Sequence, residues 1–319
     1  MRVAILFTGA LRTINKTIRY FQENALLNSD VHVFACVQND TQTSEIHWND
    51  WFKEKMGQHL RSLEWFNIRE NQHWQQHRDF LLNNMAISDH WKHYLKNSGS
   101  MIEYYQMQLA YVKMMNYELT HNIQYDYIIR IRTDTIFSRP VDFHWLNWTQ
   151  DEVDSRVETI KTQLIKCNIE VTDYNVVKYF MNTLISDDII SNVSNLFGDY
   201  IPNRDKPIKI QKLHDYLKNG SYILTYRVNL LYIVRRDMFY LIPSLGTFYG
   251  FQLSKSTEMA YRWNAESQFQ AACSNSNLSI FDYRTEFDEK SLYEYDEKRY
   301  FDSNNNIINP LMVYCLVRS

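Results

Sequence analysis

The sequence is poor in the two residues that most often interrupt a chain, with 7 glycines and 5 prolines among 319 residues. Glycine and proline supply many of the tight turns and linkers of proteins. No internal repeat and no linker rich in Gly, Ser or Pro is found. We therefore expect long ordered elements within one large α/β domain, or one domain with an appended lobe.

Cysteine is also scarce, and its four copies lie far apart in the sequence. They are Cys36, Cys167, Cys273 and Cys315. No C-x-x-C pair occurs, which argues against a zinc knuckle and against a disulfide framework. We expect reduced thiols in a cytoplasmic setting, in the cytosol of a bacterium or of a virus-infected host.

Long apolar runs are missing as well, so the sequence predicts no transmembrane segment. The N-terminal stretch MRVAILFTGALRT contains a short apolar run that Arg12 follows at once. This pattern favours a first strand over a signal peptide. Peripheral attachment to a membrane stays open.

Several functional classes lack their signatures in this sequence. The net charge is −3 without a long basic block, which disfavours nucleic acid as a ligand. No G-x-G-x-x-G, Walker loop or H-E-x-x-H motif occurs, and no G-x-S-x-G or Cys-His pattern supports a nucleophilic hydrolase. A nucleotidyltransferase is disfavoured because the N-terminal loop is neither glycine-rich nor lysine-bearing.

Aromatic residues are abundant, at 15% of the chain with 23 Tyr and 8 Trp. Flat rings can line a groove for sugars or bases, and they can equally fill a core. The region that contains NQHWQQHRDF is dense in Trp, His and Gln. We favour amphipathic helices with solvated His and Gln there over a stacking patch or a metal site.

The N-terminal segment predicts a strand, a helix and a second strand. Val3 to Phe7 is a continuous apolar run, as in parallel strands that are covered on both faces. The following helix presents one apolar face, formed by Ile14, Ile18 and Phe21. A second β-rich run extends from Asp30 to Val37. This order is typical of a βαβ unit.

A predicted helix from Met101 to Thr120 leads into the stretch YDYIIRIRTDTIF. We assign the buried stripe of the helix to Ile102, Tyr105, Leu109 and Val112, extended by Met115 and Leu119. A turn at residues 121–122 then opens a strand. Later segments predict a strand in SNVSNLFGDY, a strand and helix in VNLLYIVRRDMF, a helix from about Glu266 and a strand through Ile280.

The strand in YDYIIRIRTDTIF carries charges on one face only. Because side chains alternate, Tyr127, Ile129 and Ile131 share one face. The other face holds Ile128, Arg130, Arg132 and Asp134. The charges cluster toward the carboxyl end of the strand, where ligands bind in open α/β sheets. They can satisfy one another as an ion pair, or hold a ligand that carries phosphates and a metal.

This stretch, after a long amphipathic helix, resembles the nucleotide-sugar-binding core of GT-A glycosyltransferases. It resembles in particular the branch with an R-x-R-x-D signature, as in WavE-type lipopolysaccharide and capsule synthesis proteins. The segments VAILFTGALRT, NLFGD and AESQF fit the order of that branch. The resemblance covers most of residues 1–285 in separate segments.

The resemblance implies a single GT-A (Rossmann-like) α/β domain with a mixed, mostly parallel central sheet flanked by helices. The nucleotide-sugar half would span about 1–145, the acceptor half about 146–285, and a C-terminal extension, 286–319, would pack on the same domain. The implied activity is metal-dependent transfer of a sugar from a nucleoside-diphosphate sugar to a glycan, lipid-linked or protein-linked acceptor. The alternative is a non-catalytic nucleotide-sugar or carbohydrate binding protein.

The resemblance also implies site residues. The family's metal motif has two acidic residues that flank one position, whereas the triplet here is Arg132-Thr133-Asp134. We expect Asp134 alone to bind Mn²⁺ or Mg²⁺, since these ions often keep only one or two protein carboxylates. The residues expected to contact the donor are Thr8, Gly9, Ala10, Arg12, Arg130 and Arg132.

Two carboxylates later in the chain are the candidate catalytic residues. Glu266 matches the position of the general base of inverting GT-A enzymes, near the start of a helix. Its plain alternative is a carboxylate that favours the helix dipole. Asp199, in NLFGD, is expected near the donor sugar.

Overall fold

The computed structural model describes residues 1–27, 30–41, 43–84, 89–97, 100–137, 143–183, 209–220, 222–226, 231–241, 269, 279–283 and 314–316. The helices in this part of the chain are α1 (Ile14–Ala25), α2 (Glu45–Met56), α3 (Gln72–Asn84), α4 (Asp89–Asn97), α5 (Ser100–His121), α6 (Gln150–Lys166), α7 (Asp173–Thr183) and α8 (Ile210–Asn219). The strands are β1 (Val3–Ala10), β2 (Val31–Gln38), β3 (Leu60–Trp65), β4 (Tyr127–Arg132), β5 (Thr135–Phe137), β6 (Tyr222–Tyr226), β7 (Leu231–Arg235), β8 (Ser279–Tyr283) and β9 (Tyr314–Leu316).

Seven strands form one sheet in the order β3-β2-β1-β4-β7-β6-β8. The pairs β1–β2, β1–β4, β2–β3 and β6–β8 are parallel, whereas β7 is antiparallel to both β4 and β6. The sheet is therefore mixed and mostly parallel, with helices on both faces. This confirms the predicted α/β class with a Rossmann-like strand order.

The strand order reverses beside β1, and this reversal creates the place for a ligand. From β1 the chain adds β2 and β3 on one side, and it then returns to place β4 on the other side. In open α/β sheets, ligands bind at such a switch point, in the crevice outside the carboxyl ends of the strands. A functional site is therefore expected at the carboxyl ends of β1 and β4.

Two apolar clusters cover the two faces of the sheet. Val3, Ile5 and Phe7 of β1 pack with α1 in one cluster, while Ala4 and Leu6 pack in the other, which contains α5. Burial on both faces explains why β1 reads as one continuous apolar run. The predicted apolar face of α1 is confirmed, since Ile14, Ile18 and Phe21 are all buried.

Helix α5 has nearly the predicted bounds but buries a different face. Val112 and Leu119 of the predicted stripe are 39% and 81% exposed. The fully buried positions of α5 are Tyr104, Met107, Ala110 and Met114. The apolar and aromatic residues of α5 are spread over most faces of the helix, so their spacing alone could not select the buried face. The sequence prediction of the stripe is therefore wrong at its carboxyl-terminal half.

Other segments differ from the prediction in smaller ways. β3 was not predicted. Within VNLLYIVRRDMF, Leu231–Arg235 forms the predicted strand, β7, and the helix predicted after it is a 3₁₀ helix, Arg236–Leu241. The strand predicted in SNVSNLFGDY lies outside the described residues. The division into two halves stays a prediction. In the 286–319 extension, β9 pairs antiparallel with β5.

Among the described residues, no helix combines the length and apolarity that a membrane span needs.

A histidine on β2, His32, contacts Arg61 of β3 and Tyr125 in the segment before β4. His32 Nδ1 lies 2.7 Å from the Tyr125 hydroxyl, and Arg61 Nη2 lies 2.7 Å from His32 Nε2. Because arginine only donates, Nε2 accepts and the neutral ring carries its proton on Nδ1. Burial, and then the positive charge of Arg61, lower the pKa of His32 from 6.5 to about 4.

We predict that the protein loses stability between pH 6.5 and pH 4 through His32. The folded-state pKa lies below the unfolded-state value, so the unfolded chain binds the extra proton in this window. The contribution of neutral His32 is full above pH 6.5 and is lost as the pH falls toward 4. Chemical denaturation at several pH values measures the slope, and His32→Gln should make it shallower.

The matched control is His47→Gln, which removes an exposed histidine from α2. It should leave the pH dependence of the free energy of unfolding unchanged. An unchanged slope in His32→Gln would show that the neutral ring does not contribute to stability.

Candidate functional site

A cleft of about 310 Å³ lies at the switch point, beyond the carboxyl ends of β1 and β4. Its lining comes from the end of β1 and its loop, the segment after β2, the start of α5 and the end of β4. The lining residues are Gly9, Ala10, Arg12, Gln38, Asp40, Ile102, Glu103, Gln106, Arg130, Arg132, Thr133 and Asp134. The cleft thus brings together six residues that the sequence predicted as a site, and the seventh, Thr8, is buried on β1 next to Gly9.

Thr133 fixes the end of β4 against β1 and α1. Its backbone N–H donates to the Thr8 carbonyl at 3.0 Å, and its hydroxyl donates to the Ala10 carbonyl at 2.7 Å. Its own carbonyl accepts from the Thr17 hydroxyl at 2.6 Å. Every polar group of this buried residue is therefore engaged. The flanking residues, Arg132 and Asp134, are held in place as a consequence.

Gly9 makes this close approach possible. Its φ is +142°, a backbone conformation that residues with a Cβ rarely adopt. A Cβ at this position would lie 2.4 Å from the Thr133 hydroxyl oxygen. Only glycine lets β1 pass so near to Thr133, and the role of Gly9 in contacting a donor stays a prediction.

Arg132 and Asp134 form a bidentate ion pair at the rim of the cleft. Arg132 Nε donates to Asp134 Oδ1 and Arg132 Nη2 donates to Asp134 Oδ2, both at 2.8 Å. The Arg132 side chain is 22% exposed and that of Asp134 is 8% exposed. The fork geometry fixes the guanidinium plane relative to the carboxylate.

The same pair keeps Arg132 charged. Burial lowers the pKa of Arg132, but the charge and hydrogen bonds of Asp134, together with the charge of Glu103, outweigh it and raise the pKa above its ordinary value. A permanent positive charge therefore stands at the mouth of the cleft, next to a carboxylate that already has a partner.

Arg130 is bound more deeply than Arg132 and is only 1% exposed. Its Nη2 lies 2.7 Å from Glu103 Oε1, an ion pair by distance without hydrogen-bond geometry. Its Nε donates to the Thr8 hydroxyl at 3.3 Å, and its guanidinium lies 5.5 Å from the centre of the Tyr232 ring. Arg130 thus ties β4 to α5, β1 and β7, while its predicted role in donor binding is untested.

The other side of the cleft is formed by the loop after β1. Arg12 is exposed and makes no hydrogen bond or ion pair within the described residues. Asp40, which follows β2, accepts the Leu11 backbone N–H at 3.0 Å. Gln106 of α5 reaches the Gly9 carbonyl at 3.5 Å. Helix α1 begins just beyond Arg12 and has no acidic residue in its first turn.

Several lining residues escaped the sequence analysis. Thr133, Glu103 and Gln106 act through partners that are distant in the sequence, and no local pattern marks them. Asp40 could have been predicted from its position in the sequence, because an acidic residue shortly after the second strand of a βαβ unit is well placed to bind a ribose. Glu266 and Asp199 lie outside the described residues, so their catalytic roles stay predictions.

The described residues fit a divalent cation poorly. Both oxygens of Asp134 bind Arg132, and Glu103 pairs with Arg130. Asp40 is engaged by a backbone amide. Within the part of the chain that the structure describes, no three His, Cys, Asp or Glu side chains come together as a metal site. The role of Asp134 as a metal ligand stays a prediction.

Comparison with known proteins names no family for this chain. No family model matches it, and no curated protein matches it. Among solved structures, the apo form of the glycosyltransferase GlyE from Streptococcus pneumoniae TIGR4 matches 58% of this chain at 10% identity with a TM-score of 0.19. The chain spans 44% of that protein. At this TM-score the likeness carries no argument about fold or function.

We predict that Gly9→Ala destabilises the protein by about 3 kcal/mol or more, because it adds a steric clash with Thr133 to an unfavourable φ. Gly57→Ala is the matched control. Gly57 also has a positive φ, of 51°, but nothing lies within 4 Å of an added Cβ. It should cost about 1 kcal/mol. Chemical denaturation of both variants gives the two values, and equal losses would show that the Gly9–Thr133 contact is not limiting.

Proposed function

We propose that this protein is a glycosyltransferase that moves a sugar from a nucleoside-diphosphate sugar to a glycan or glycoconjugate acceptor. The observation that supports it is the cleft between β1 and β4, at the carboxyl ends of parallel strands, with Arg12 and Arg132 at its rim. A nucleotide ligand in a doubly wound sheet occupies this place. Guanidinium groups there match the charge and planar geometry of phosphates.

The reaction needs a stabilised leaving group and a deprotonated acceptor. The acceptor oxygen forms a bond to the anomeric carbon, the bond from that carbon to the diphosphate oxygen breaks, and the nucleoside diphosphate leaves with the electron pair. Preorganised positive charge next to the diphosphate lowers the barrier to its departure. Arg132 is the residue best placed to supply this charge, since it is both oriented and partly exposed.

A carboxylate must take the proton of the acceptor hydroxyl as the new bond forms. Glu266 is our candidate for this base, and Asp199 is our candidate for a contact with the donor sugar. Both assignments rest on the resemblance of AESQF and NLFGD to the GT-A family. The same resemblance, through R-x-R-x-D, supports a WavE-type role in the synthesis of a surface polysaccharide or lipopolysaccharide in the cytoplasm.

A second candidate is a non-catalytic nucleotide-sugar or carbohydrate binding protein. One observation favours it, namely that both oxygens of Asp134 pair with Arg132 at the place where the family's motif has two acidic residues. A protein that had lost its catalytic acids would still present the guanidinium groups of Arg12 and Arg132 in this cleft. Turnover, rather than binding, therefore separates the two candidates.

The experiment is a thermal-shift screen with a panel of nucleotide sugars, followed by an assay for nucleoside diphosphate release. A ligand at 100 times its Kd stabilises the folded state by about 2.7 kcal/mol, which corresponds to a rise in Tm of several degrees. Release of nucleoside diphosphate in the presence of an acceptor supports transfer. Binding without release over many acceptors would favour the binding protein, and no binding of any nucleotide sugar would refute the glycosyltransferase and the nucleotide-sugar binding protein.

We predict that Glu266→Gln lowers the transfer rate about a hundredfold or more, the usual contribution of a general base, and leaves donor affinity within about twofold. Gln keeps the size and polarity of the side chain but cannot take a proton. Gln268→Glu, two residues away, is the control for substitution in this segment and should retain transfer. Equal losses of rate and donor affinity in Glu266→Gln would contradict the base assignment.

A further inference from the structure

We propose that Arg132 and Arg12 bind the diphosphate of the donor directly, without a divalent cation, and that Asp134 is a positioning residue for Arg132 rather than a metal ligand. The inference rests on the proposed function, because it names how the same cleft holds its nucleotide. It reverses the role that the sequence predicted for Asp134. Four features of the cleft support it.

The first feature is the occupation of Asp134. Each Asp134 oxygen accepts a charge-assisted hydrogen bond from Arg132 at 2.8 Å, so the carboxylate charge is already offset by a guanidinium. A dication bound to either oxygen would stand within a few ångströms of the guanidinium charge. Repulsion between the two cations would then oppose binding at close range, where solvent screens little.

The second feature is the lack of supporting ligands. Mg²⁺ and Mn²⁺ sites commonly use one or two carboxylates of the protein. The two other carboxylates of the cleft, Glu103 and Asp40, are held by Arg130 and by the Leu11 amide. The described ranges hold no group of three or more His, Cys, Asp or Glu side chains that could bind a metal ion.

The third feature is the unused donor capacity of Arg132. A guanidinium has five N–H donors, and Asp134 takes one from Nε and one from Nη2. The described residues offer no partner to Nη1, which leaves that end of the fork for a phosphate. The side chain is 22% exposed, so a ligand in the cleft can reach it.

The fourth feature is the second cation across the cleft. Arg12 lies on the loop after β1, whereas Arg132 ends β4, so the two approach the switch point from neighbouring strands. Arg12 is exposed and has no ion-pair partner among the residues described. Arg12 brings a positive charge that no carboxylate among the described residues offsets, and both guanidinium groups can donate charge-assisted hydrogen bonds to a diphosphate.

Asp134 has a function in this arrangement without touching the ligand. Its bidentate pair holds the guanidinium plane of Arg132 in one orientation, and Thr133 fixes the backbone between the two residues. An arginine that is already oriented loses less conformational entropy when the diphosphate binds.

The test is calorimetric titration of the full chain with UDP, GDP, ADP and CDP, once in EDTA and once with manganese. We expect at least one nucleoside diphosphate to bind with the same affinity, within about threefold, in both buffers. Binding that requires manganese would overturn this inference and leave the proposed function standing. If no nucleoside diphosphate binds in either buffer, the proposed function fails and this inference fails with it.

A double-mutant cycle separates a positioning role for Asp134 from a metal-binding or purely structural one. Arg132→Gln should lower affinity in EDTA about tenfold to a hundredfold, as expected for a lost charge-assisted hydrogen bond. Asp134→Asn should lower it less, and should have no further effect in the Arg132→Gln background, because Asp134 acts through Arg132. An additive loss in the double variant would overturn the positioning role.

The cycle includes its own control for folding. Arg132→Gln alone leaves the nearly buried carboxylate of Asp134 without its ion-pair partner, whereas the double variant replaces the ion pair by two neutral amides. Thermal unfolding identifies which variants are folded, and the wild-type titrations in EDTA and manganese decide the metal question without any variant.

Arg19→Gln is the control for overall charge. It removes an exposed arginine of α1 outside the cleft and should leave affinity within about twofold. A loss as large as that of Arg132→Gln would assign the effect to overall charge and overturn the inference.

Discussion

The site depends on the way Thr133 is held between β1 and α1. Three hydrogen bonds engage its amide, its hydroxyl and its carbonyl, and the absence of a Cβ at Gly9 leaves room for the contact. Arg132 and Asp134 flank this anchored residue, so their side chains emerge side by side at the rim of the cleft. The strand order then places that rim beside the loop after β1, where an anionic ligand would meet α1 and Arg12.

Both arginines of β4 are paired with carboxylates of the cleft. Arg130 is fixed among Glu103, Thr8 and the Tyr232 ring, and it ties the sheet to α5. Arg132 pairs with Asp134 through Nε and Nη2, and its side chain lines the cleft and is 22% exposed. The two arginines of the R-x-R stretch therefore differ in burial although they lie two residues apart on one strand face. Burial of a charge is costly unless it is paired, which explains why the deeper of the two has the more complete set of partners.

Much of this arrangement follows from local patterns in the sequence. Alternation along β4 placed Arg130 and Arg132 on the face opposite Ile129, and the continuous apolar run of β1 predicted a strand covered on both faces. The hydrogen bonds of Thr133 with Thr17 and Ala10 could not be predicted, because they join residues more than a hundred positions apart. The partner of Asp134 was similarly out of reach, since spacing allowed an ion pair and a ligand site equally. The buried face of α5 was assigned wrongly because that helix is apolar on most sides, and only packing against the sheet selects Tyr104 and Met107.

The most direct test of this account is a crystal structure of the protein with the nucleoside diphosphate that binds best, grown with manganese present. The account predicts a phosphate oxygen about 3 Å from Arg132 Nη1, with the bidentate Arg132–Asp134 pair retained and no cation on Asp134. A manganese ion coordinated by Asp134 with Arg132 displaced, or a nucleotide bound away from the end of β4, would contradict it.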